Sequence, residues 1–447
     1  MGLFASPAMA ERGPLATALG APDNLTITAS MRTRFEAFGG QFRRGRAPSD
    51  EMLSLKTTLA AEYDGGDVFV GGELWDARTY GQDRLSSAGT TEVNAMELVQ
   101  AYAGVKLGDH SKGAKSGHGK IKAGRFTLNI GSRRLVSRQN YRNTTNAYTG
   151  VFADWTTGDG YKIQLLWSMP QIRLPEDANG IRDDKVKWDK ETTDLQFFGG
   201  HLTVPKTLGG VVEAYAFGLR EKDSPTRLTR NRRLWTVGAR AFRKPAKGQW
   251  DHDIEAAYQF GKTRRTTGVT DLSDLDVEAW FAHAEVGYGF ADKLKPRLSV
   301  HMDVASGDKR EPGKYGRFDT LYGARRFEFG PTSLYGPLGR ANIVSPGIRL
   351  DIAPSKKWDA FVMARAAWAE SRRDSFSSTG VVDTRGQSGR FAGYQGEARF
   401  RYWIVPERVQ IDTGAAWLVK SSLLKNAPNA PATGDAKVFY FDLVLSI

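Results

Sequence analysis

The feature that most constrains this chain is a two-residue hydrophobic period that recurs along nearly its whole length. In Asn24–Phe38, Leu25, Ile27, Ala29, Met31, Phe35 and Ala37 alternate with Thr26, Thr28, Ser30, Arg32, Arg34 and Glu36. The same alternation sets Trp280, Ala282, Ala284, Val286 and Tyr288 against Phe281, His283, Glu285 and Gly287. It also sets Leu298, Val300, Met302 and Val304 against Arg297, Ser299, His301 and Asp303. Successive side chains of a β-strand point to opposite faces, so period 2 reads as strands with one apolar and one polar face, not as helices of period 3.6. Roughly eighteen such segments can be counted, each ended by Gly, Asp, Asn or Pro. They lie near residues 25–37, 50–63, 67–78, 93–107, 119–131, 146–157, 160–169, 192–204, 210–221, 232–243, 250–263, 276–290, 296–306, 341–353, 358–370, 392–404, 408–420 and 436–447.

Length by itself would suggest several domains, because the chain has 447 residues. No break in the strand pattern marks a boundary, and barrels use long chains as one unit. The mean hydropathy of −0.44, with no apolar run of about 18 residues, excludes a helical membrane bundle. It leaves open a membrane barrel, whose strands are apolar on one face only. The absence of cysteine removes structural disulfides, thiolate chemistry and Cys-based zinc sites. A formal charge of +13 points to an anionic partner. Ala8-Met9-Ala10 has the form of a signal-peptidase site, so residues 1–10 are expected to be the tail of a secretion signal and 11–23 an extension ahead of a barrel over 24–447.

The connections alternate between short ones, such as Gly65-Gly66, Gly158-Asp159-Gly160 and Pro354-Ser355-Lys356-Lys357, and long ones near 79–92, 170–191, 264–275, 307–340 and 371–391. Outer-membrane barrels show this asymmetry between periplasmic turns and outer loops. Trp75, Trp155, Trp167, Tyr258, Phe260, Trp280, Trp358, Trp368, Tyr402 and Trp417 fall near the ends of apolar faces, where an amphipathic ring meets the membrane interface. The chain closes on Phe439, Phe441, Leu443, Leu445 and Ile447 alternating with Tyr440, Asp442 and Val444, an apolar terminal strand with no polar tail. The expected fold is all-β: a transmembrane antiparallel up-and-down barrel of about 18 strands in the bacterial outer membrane.

If the apolar parity meets lipid, the other lines the lumen. That places Arg32, Arg34, Arg125, Arg240, Arg349, Arg365, Arg399 and Arg401 inside, beside Glu36, Glu255, Asp303, Asp351, Glu397 and Asp412. Guanidinium is permanently charged and grips carboxylates bidentately, which suits a hydrated anionic saccharide. Acidic neighbours would keep binding weak enough for conduction. The alternative is that the inward charges only pair with each other.

Gly124-Arg125-Phe126-Thr127-Leu128-Asn129-Ile130-Gly131, then Arg133-Arg134-Leu135-Val136, then Asn140-Tyr141-Arg142-Asn143-Thr144, resembles a block of the alginate-export family of outer-membrane proteins. Gly316-Arg317-Phe318-Asp319-Thr320-Leu321-Tyr322 resembles that family's F-D-x-L-[FY] element in a long late loop. The family commonly has Trp where Tyr141 stands, and outer-membrane barrels usually end in Phe rather than Ile447. The resemblance implies an 18-stranded barrel with an electropositive pore that passes a polyuronate outward. It carries Arg125, Arg134, Arg142, Arg317 and Asp319 as matched positions.

Within 307–340, Lys309, Arg310, Lys314, Arg317, Arg325, Arg326 and Arg340 interleave with Tyr315, Phe318, Tyr322, Phe327, Phe329 and Tyr335. So long a loop is usually functional, and Arg317, Asp319, Arg325 and Arg326 are expected to form a gate folded into the pore. The alternative is an outward loop. Nucleic acid is not an expected partner, because no binding motif accompanies the charge. No metal-ligand spacing, nucleophile elbow or phosphate loop is present, so neither cofactor nor chemical step is expected. The only acid–His cluster, Asp251-His252-Asp253, reads as a turn or rim salt bridge, and no serine partner is evident for His201, His252, His283 or His301. The expected function is a monomeric channel for an anionic polysaccharide or oligosaccharide, set among outer-membrane lipid and lipopolysaccharide, with periplasmic secretion-complex proteins as partners. The rivals are an anion-selective porin taking up acidic oligosaccharides or small acids, a rim hydrolase, and a soluble β-rich lectin.

Overall fold

A computed structural model describes residues 14–108 and 117–447; the expected signal remnant over 1–10 lies outside them. After a short helix α1 (Pro14–Ala18), the chain is almost entirely strand: β1 (Leu25–Gly39), β2 (Ser49–Asp64), β3 (Val68–Tyr80), β4 (Asn94–Gly108), β5 (His118–Phe126), β6 (Tyr148–Thr156) and β7 (Lys162–Pro170). Helix α2 (Ala178–Arg182) interrupts the series, followed by β8 (Leu195–Thr207), β9 (Gly210–Glu221), β10 (Arg233–Arg243), β11 (Gln249–Thr263), β12 (Leu275–Gly289) and β13 (Arg297–Ala305). The two-residue β14 (Lys314–Tyr315) and helix α3 (Arg326–Phe329) lie in the next connection. Then come β15 (Ile343–Ile352), β16 (Trp358–Trp368), β17 (Phe391–Val405), β18 (Val409–Lys420), helix α4 (Ser422–Asn426) and β19 (Ala436–Ser446).

Strand β14 only flanks β12, and β13 pairs directly with β15, so eighteen of the nineteen strands of the sheet are staves of the wall. Each stave pairs antiparallel with its neighbours in sequence, and β1 pairs with β19 from Ser30↔Ser446 to Gly39↔Lys437. The sheet is therefore a closed barrel with no free edge. Closure is what a membrane demands, since an unpaired backbone N–H or C=O in hydrocarbon costs several kcal/mol, i.e. about 2–7. The turns at one end are short (65–67, 208–209, 353–357, 406–408), whereas the other end carries 81–93, 127–147, 171–194, 306–342, 369–390 and 421–435.

The alternating sequence maps onto the wall as inward and outward faces. On β19, Phe439, Phe441, Leu443 and Leu445 are exposed to the outside while Val438, Tyr440 and Asp442 are buried. Trp167, Trp280 and Trp417 stand on the outer face as expected, but Trp75 does not: it is 3% exposed and donates from Nε1 to Asn143 O at 2.9 Å. On β3 it shares the parity of the buried Phe69, Glu73 and Ala77, so plain alternation along the strand turns it inward.

The apolar core lies inside the barrel. Phe126, Leu128, Ile130, Phe281, Phe318 and Phe329 belong to one buried cluster built from the wall and the infolded connections. The sequence reading extends the fifth strand to 131, whereas the chain leaves the wall at Phe126. The alternation of Phe126, Leu128 and Ile130 therefore faces this interior cluster and not lipid.

At the seam, Arg34 on β1 meets Asp442 on β19 through Nε and Nη2, both at 2.6 Å, with both side chains buried. The guanidinium also lies 3.9 Å from the Tyr141 ring centroid. Removing one partner of such a pair typically costs about 3–5 kcal/mol because the other charge is stranded. Arg34→Ala should therefore lower the temperature at which the heat-modifiable folded band is lost in gel electrophoresis. The double variant Arg34→Met/Asp442→Leu should recover most of that loss; a double variant as unstable as the single one would contradict the pairing account.

Candidate functional site

The long connections turn back into the barrel rather than standing above it. Connections 127–147 and 306–342 pair with each other: Tyr322 N donates to Leu135 O at 2.9 Å, Ser137 N to Tyr322 O at 3.1 Å, and Ala324 N to Arg133 O at 2.9 Å. Helix α3 and its flanks are tied to the wall from several sides. Arg326 donates to Glu397 Oε1 on β17 at 2.5 Å and to the Tyr440 hydroxyl on β19 at 3.0 Å. Arg365 on β16 donates to Glu328 O at 2.6 Å, the Tyr335 hydroxyl to Gln395 Oε1 at 2.9 Å, and Ser333 Oγ to Glu36 Oε2 on β1 at 2.7 Å. Segment 307–340 thus crosses the interior. Buried anchors of this kind hold a loop that has little regular structure of its own.

Most wall arginines are neutralised where they stand. Arg240 chelates Asp253 at 2.7 and 2.8 Å and also reaches Glu213 at 3.0 Å. Arg401 grips Asp359 at 2.8 and 2.6 Å, Arg349 binds Asp351 at 2.7 Å, and Arg399 pairs with Asp412. Arg365 contacts Asp303 at 3.4 Å. Arg134, from connection 127–147, bonds Glu255 at 2.6 Å and Asp253 at 3.1 Å, and it shares Glu328 with Arg340. In the late connections Arg317 pairs with Asp374 at 2.7 Å, and Asp319 accepts from Arg232 at 2.8 Å.

Arg125 corrects the parity reading. It shares its face of β5 with the outward Ile121, whereas Lys122 lies against the Phe126 and Phe152 rings on the inner face. Its guanidinium bonds Glu97 at 2.6 Å and Glu191 at 3.0 Å, the latter on connection 171–194. Arg125 therefore stands on the outer side of the rim, away from the lumen. The misreading has the same cause as the overextended fifth strand: the apolar alternation beyond Phe126 belongs to the interior cluster.

A second set of arginines is bonded only to neutral acceptors. Arg32 donates to Asn140 O at 3.2 Å, Tyr141 O at 2.6 Å and Asn143 Oδ1 at 3.1 Å. Arg43 donates to the carbonyls of Leu334 and Tyr335 at 2.9 and 2.6 Å, and Arg173 to Thr145 O and Asn146 Oδ1 at 3.1 and 2.8 Å. Arg325 reaches the Ser378 hydroxyl. Among the described residues no carboxylate lies within ion-pairing distance of these four or of the half-buried Arg142. Burial, then repulsion from Arg325 and Arg173, pushes the Arg142 guanidinium down to about 9. Burial, then Arg43, pushes Arg325 down to about 10. Both remain charged at neutral pH, held in a place where positive charge is disfavoured and an incoming anion is favoured.

Arg142 and Arg325 border a cavity of about 320 Å³ that Arg230, Arg317 and Arg340 also line. That volume falls within the range of small-molecule sites. Arg43, Arg173 and Arg230 were not singled out from sequence, because they sit in connections where no alternation assigns a facing. Their only local signal is basic residues in long loops, as in Arg43-Arg44 and Arg230-Asn231-Arg232-Arg233.

The acid–His cluster is split by the wall. Asp251 pairs with Arg297, and Asp253 with Arg240 and Arg134, on the inner face; His252 shares the outer parity with the exposed Ile254. His301, for which no serine was foreseen, has Ser299 Oγ 2.9 Å from Nε2, two residues along the same strand, with Glu285 3.5 Å from Nδ1. Ser299 is 1% exposed, which leaves no room for a substrate at its hydroxyl.

A closed eighteen-stave antiparallel barrel with an outward apolar face, aromatic rims and infolded long loops is an outer-membrane channel-type barrel. The sequence profile of the alginate export family matches residues 23–434, and the chain belongs to that family. No curated protein sequence matches it significantly. Among solved structures it is similar to the outer membrane protein OpdK from Pseudomonas aeruginosa, with a TM-score of 0.57 and 11% identity over 94% of this chain and 98% of that one. It is also similar to OccK2 (OpdF) of the same organism in complex with glucuronate, with a TM-score of 0.54 and 12% identity over 95% and 97% of the two chains. At such identities the likeness is one of fold. Fold and family together place the protein in the bacterial outer membrane as a channel.

Replacing Arg326 by Gln should free connection 306–342 without opening the wall. Amides of 320–340 are expected to exchange with deuterium markedly faster, while the thermal midpoint of the barrel falls little. Unchanged exchange in that segment would show that Arg326 does not anchor it.

Proposed function

We propose that the channel passes an anionic, carboxylated polysaccharide or oligosaccharide, with export as the favoured direction, and that Arg32, Arg43, Arg142, Arg173 and Arg325 form its anion-selecting ring. The observation that carries this reading is the segregation of charge. Most arginines of the wall and of the connections are matched by carboxylates, whereas among the described residues these five have none, and two of them, Arg142 and Arg325, keep an uncompensated positive charge beside the cavity. A carboxylate entering there replaces neutral acceptors with a charge-assisted, bidentate contact, while the surrounding acids keep its residence short. Passage is passive, with no chemical step. Movement of segment 306–342, including Arg317, Asp319, Arg325 and Arg326, acts as the gate. The channel works as a monomer that receives its polymer from secretion-complex proteins at the short-turn end. Export is favoured by the family's description, alginate export.

A second reading, uptake of small acids, is favoured by the modest cavity and by two similar barrels whose structures hold the carboxylates vanillate and glucuronate. Planar-bilayer recording tests the shared core of both. The wild-type pore should be anion-selective and blocked by oligouronate. Arg142→Gln/Arg325→Gln should move the zero-current potential toward cation selectivity and weaken the block roughly tenfold, as expected for losing hydrogen bonds to charged groups. Arg401→Gln, which removes a neutralised arginine, should leave the block nearly intact. A double variant with unaltered selectivity and block sinks the proposal. Comparing block by polymer and by monomeric uronate then separates export from small-acid uptake.

A further inference from the structure

Connection 171–194 enters the interior only with its first residues, where Arg173 bonds Thr145 O and Asn146 Oδ1; the rest stays outside. From β7 it reaches back over the rim to β3 and β4, and two buried aspartates fix it there. Asp184 Oδ1 accepts from Thr79 N at 3.0 Å, on the edge that β3 exposes once β4 has diverged after Ala77↔Asn94. Asp189 accepts from Leu174 N at 2.9 Å and from Asn94 Nδ2 at 3.0 Å, while its own N–H donates to Glu97 Oε2 at 2.7 Å. Between these two anchors Lys185, Val186, Lys187 and Trp188 are all exposed, with Trp188 at 59%. Arg182 and Lys190 continue the exposed run on either side, and Asp183 is its single exposed carboxylate. Glu191, next in sequence, is taken up by Arg125 on the outer face of β5.

A strip that a protein holds rigidly from both ends, yet leaves with three exposed lysines, an exposed indole and an exposed Arg182 bonded only to its neighbour Asn179, is built to be covered. Its position says by what. It lies at the long-loop end of the barrel, on the outer side of the rim, and continues the exposed apolar surface of Leu74 and Met96 below it. At that height an outer-leaflet lipid presents its headgroup, where an indole is favoured and each lysine near an anionic surface adds attraction. A solute in the lumen does not reach it.

We infer that the Arg182–Lys190 strip is a docking site for the phosphorylated headgroup of an outer-leaflet glycolipid of the lipid A type, with Lys185, Lys187 and Lys190 on phosphate and Trp188 against the sugar–acyl boundary. The site is independent of the conduction pathway. It makes the barrel's outer rim a place where lipid is held by name rather than only by hydrophobicity.

The test uses the full barrel in detergent micelles carrying diphosphoryl lipid A, with retained lipid counted by native mass spectrometry. Lys185→Gln/Lys187→Gln/Lys190→Gln should retain it at least roughly tenfold more weakly. The Lys→Arg triple variant, which keeps the charge, should retain it like wild type and serves as the folding control alongside the heat-modifiable band. Dephosphorylated lipid A should bind both variants equally. Equal retention of diphosphoryl lipid A by wild type and the Gln variant would overturn the inference. So would a Gln variant that loses oligouronate binding and keeps lipid A, since the strip would then serve the transported solute.

Discussion

Everything in this molecule follows from the need to satisfy backbone hydrogen bonds without water. A sheet that crosses hydrocarbon cannot leave an edge, so β1 must find β19, and the register they adopt fixes which residue of every stave looks in. Once the wall is closed, each strand has one face for lipid and one for the interior. Polar and charged side chains are thereby confined to a volume in which each needs a partner. The pairing of Arg34 with Asp442 across the closing seam joins the two requirements in one contact.

Confinement also explains the electrostatics. Wall positions lie opposite other wall positions at fixed spacing, so an inward arginine can be answered by a carboxylate on its own strand or the next. Arg349–Asp351, Arg401–Asp359 and Arg399–Asp412 are such answers. The connections have no such ladder, and their arginines divide: Arg134, Arg317, Arg326 and Arg340 reach carboxylates, while Arg43, Arg173 and Arg325 are satisfied by carbonyls, an amide and a hydroxyl, which neutralise nothing. Arg142, Arg325, Arg173 and Arg43 therefore carry excess positive charge into the middle of the barrel, even though fewer arginines are involved there than on the wall.

Where the strand pattern was regular, the chain read correctly. The eighteen staves, the alternation of short and long connections and the outward faces of β12, β13, β16 and β19 were legible because period 2 is a local property. The failures are equally specific. Trp75 looked like a residue of the lipid interface for its indole near a strand end, although it shares the parity of the buried Phe69 and Glu73. Arg125 looked lumenal because Phe126, Leu128 and Ile130 continue an alternation that serves an interior cluster after the wall has ended. Ser299 beside His301 was overlooked as a pair, although two residues on one strand share a face by necessity.

By itself, then, the sequence determined a closed transmembrane barrel of about eighteen strands with charge on its inner face, because amphipathic alternation and the lack of a spanning helix admit no other membrane fold. Only the tertiary structure decided which arginines remain electrostatically unanswered and which loop turns in or out. Those outcomes depend on contacts between residues far apart in the chain, such as Arg134 with Glu255 and Asp184 with Thr79, and no local pattern encodes them.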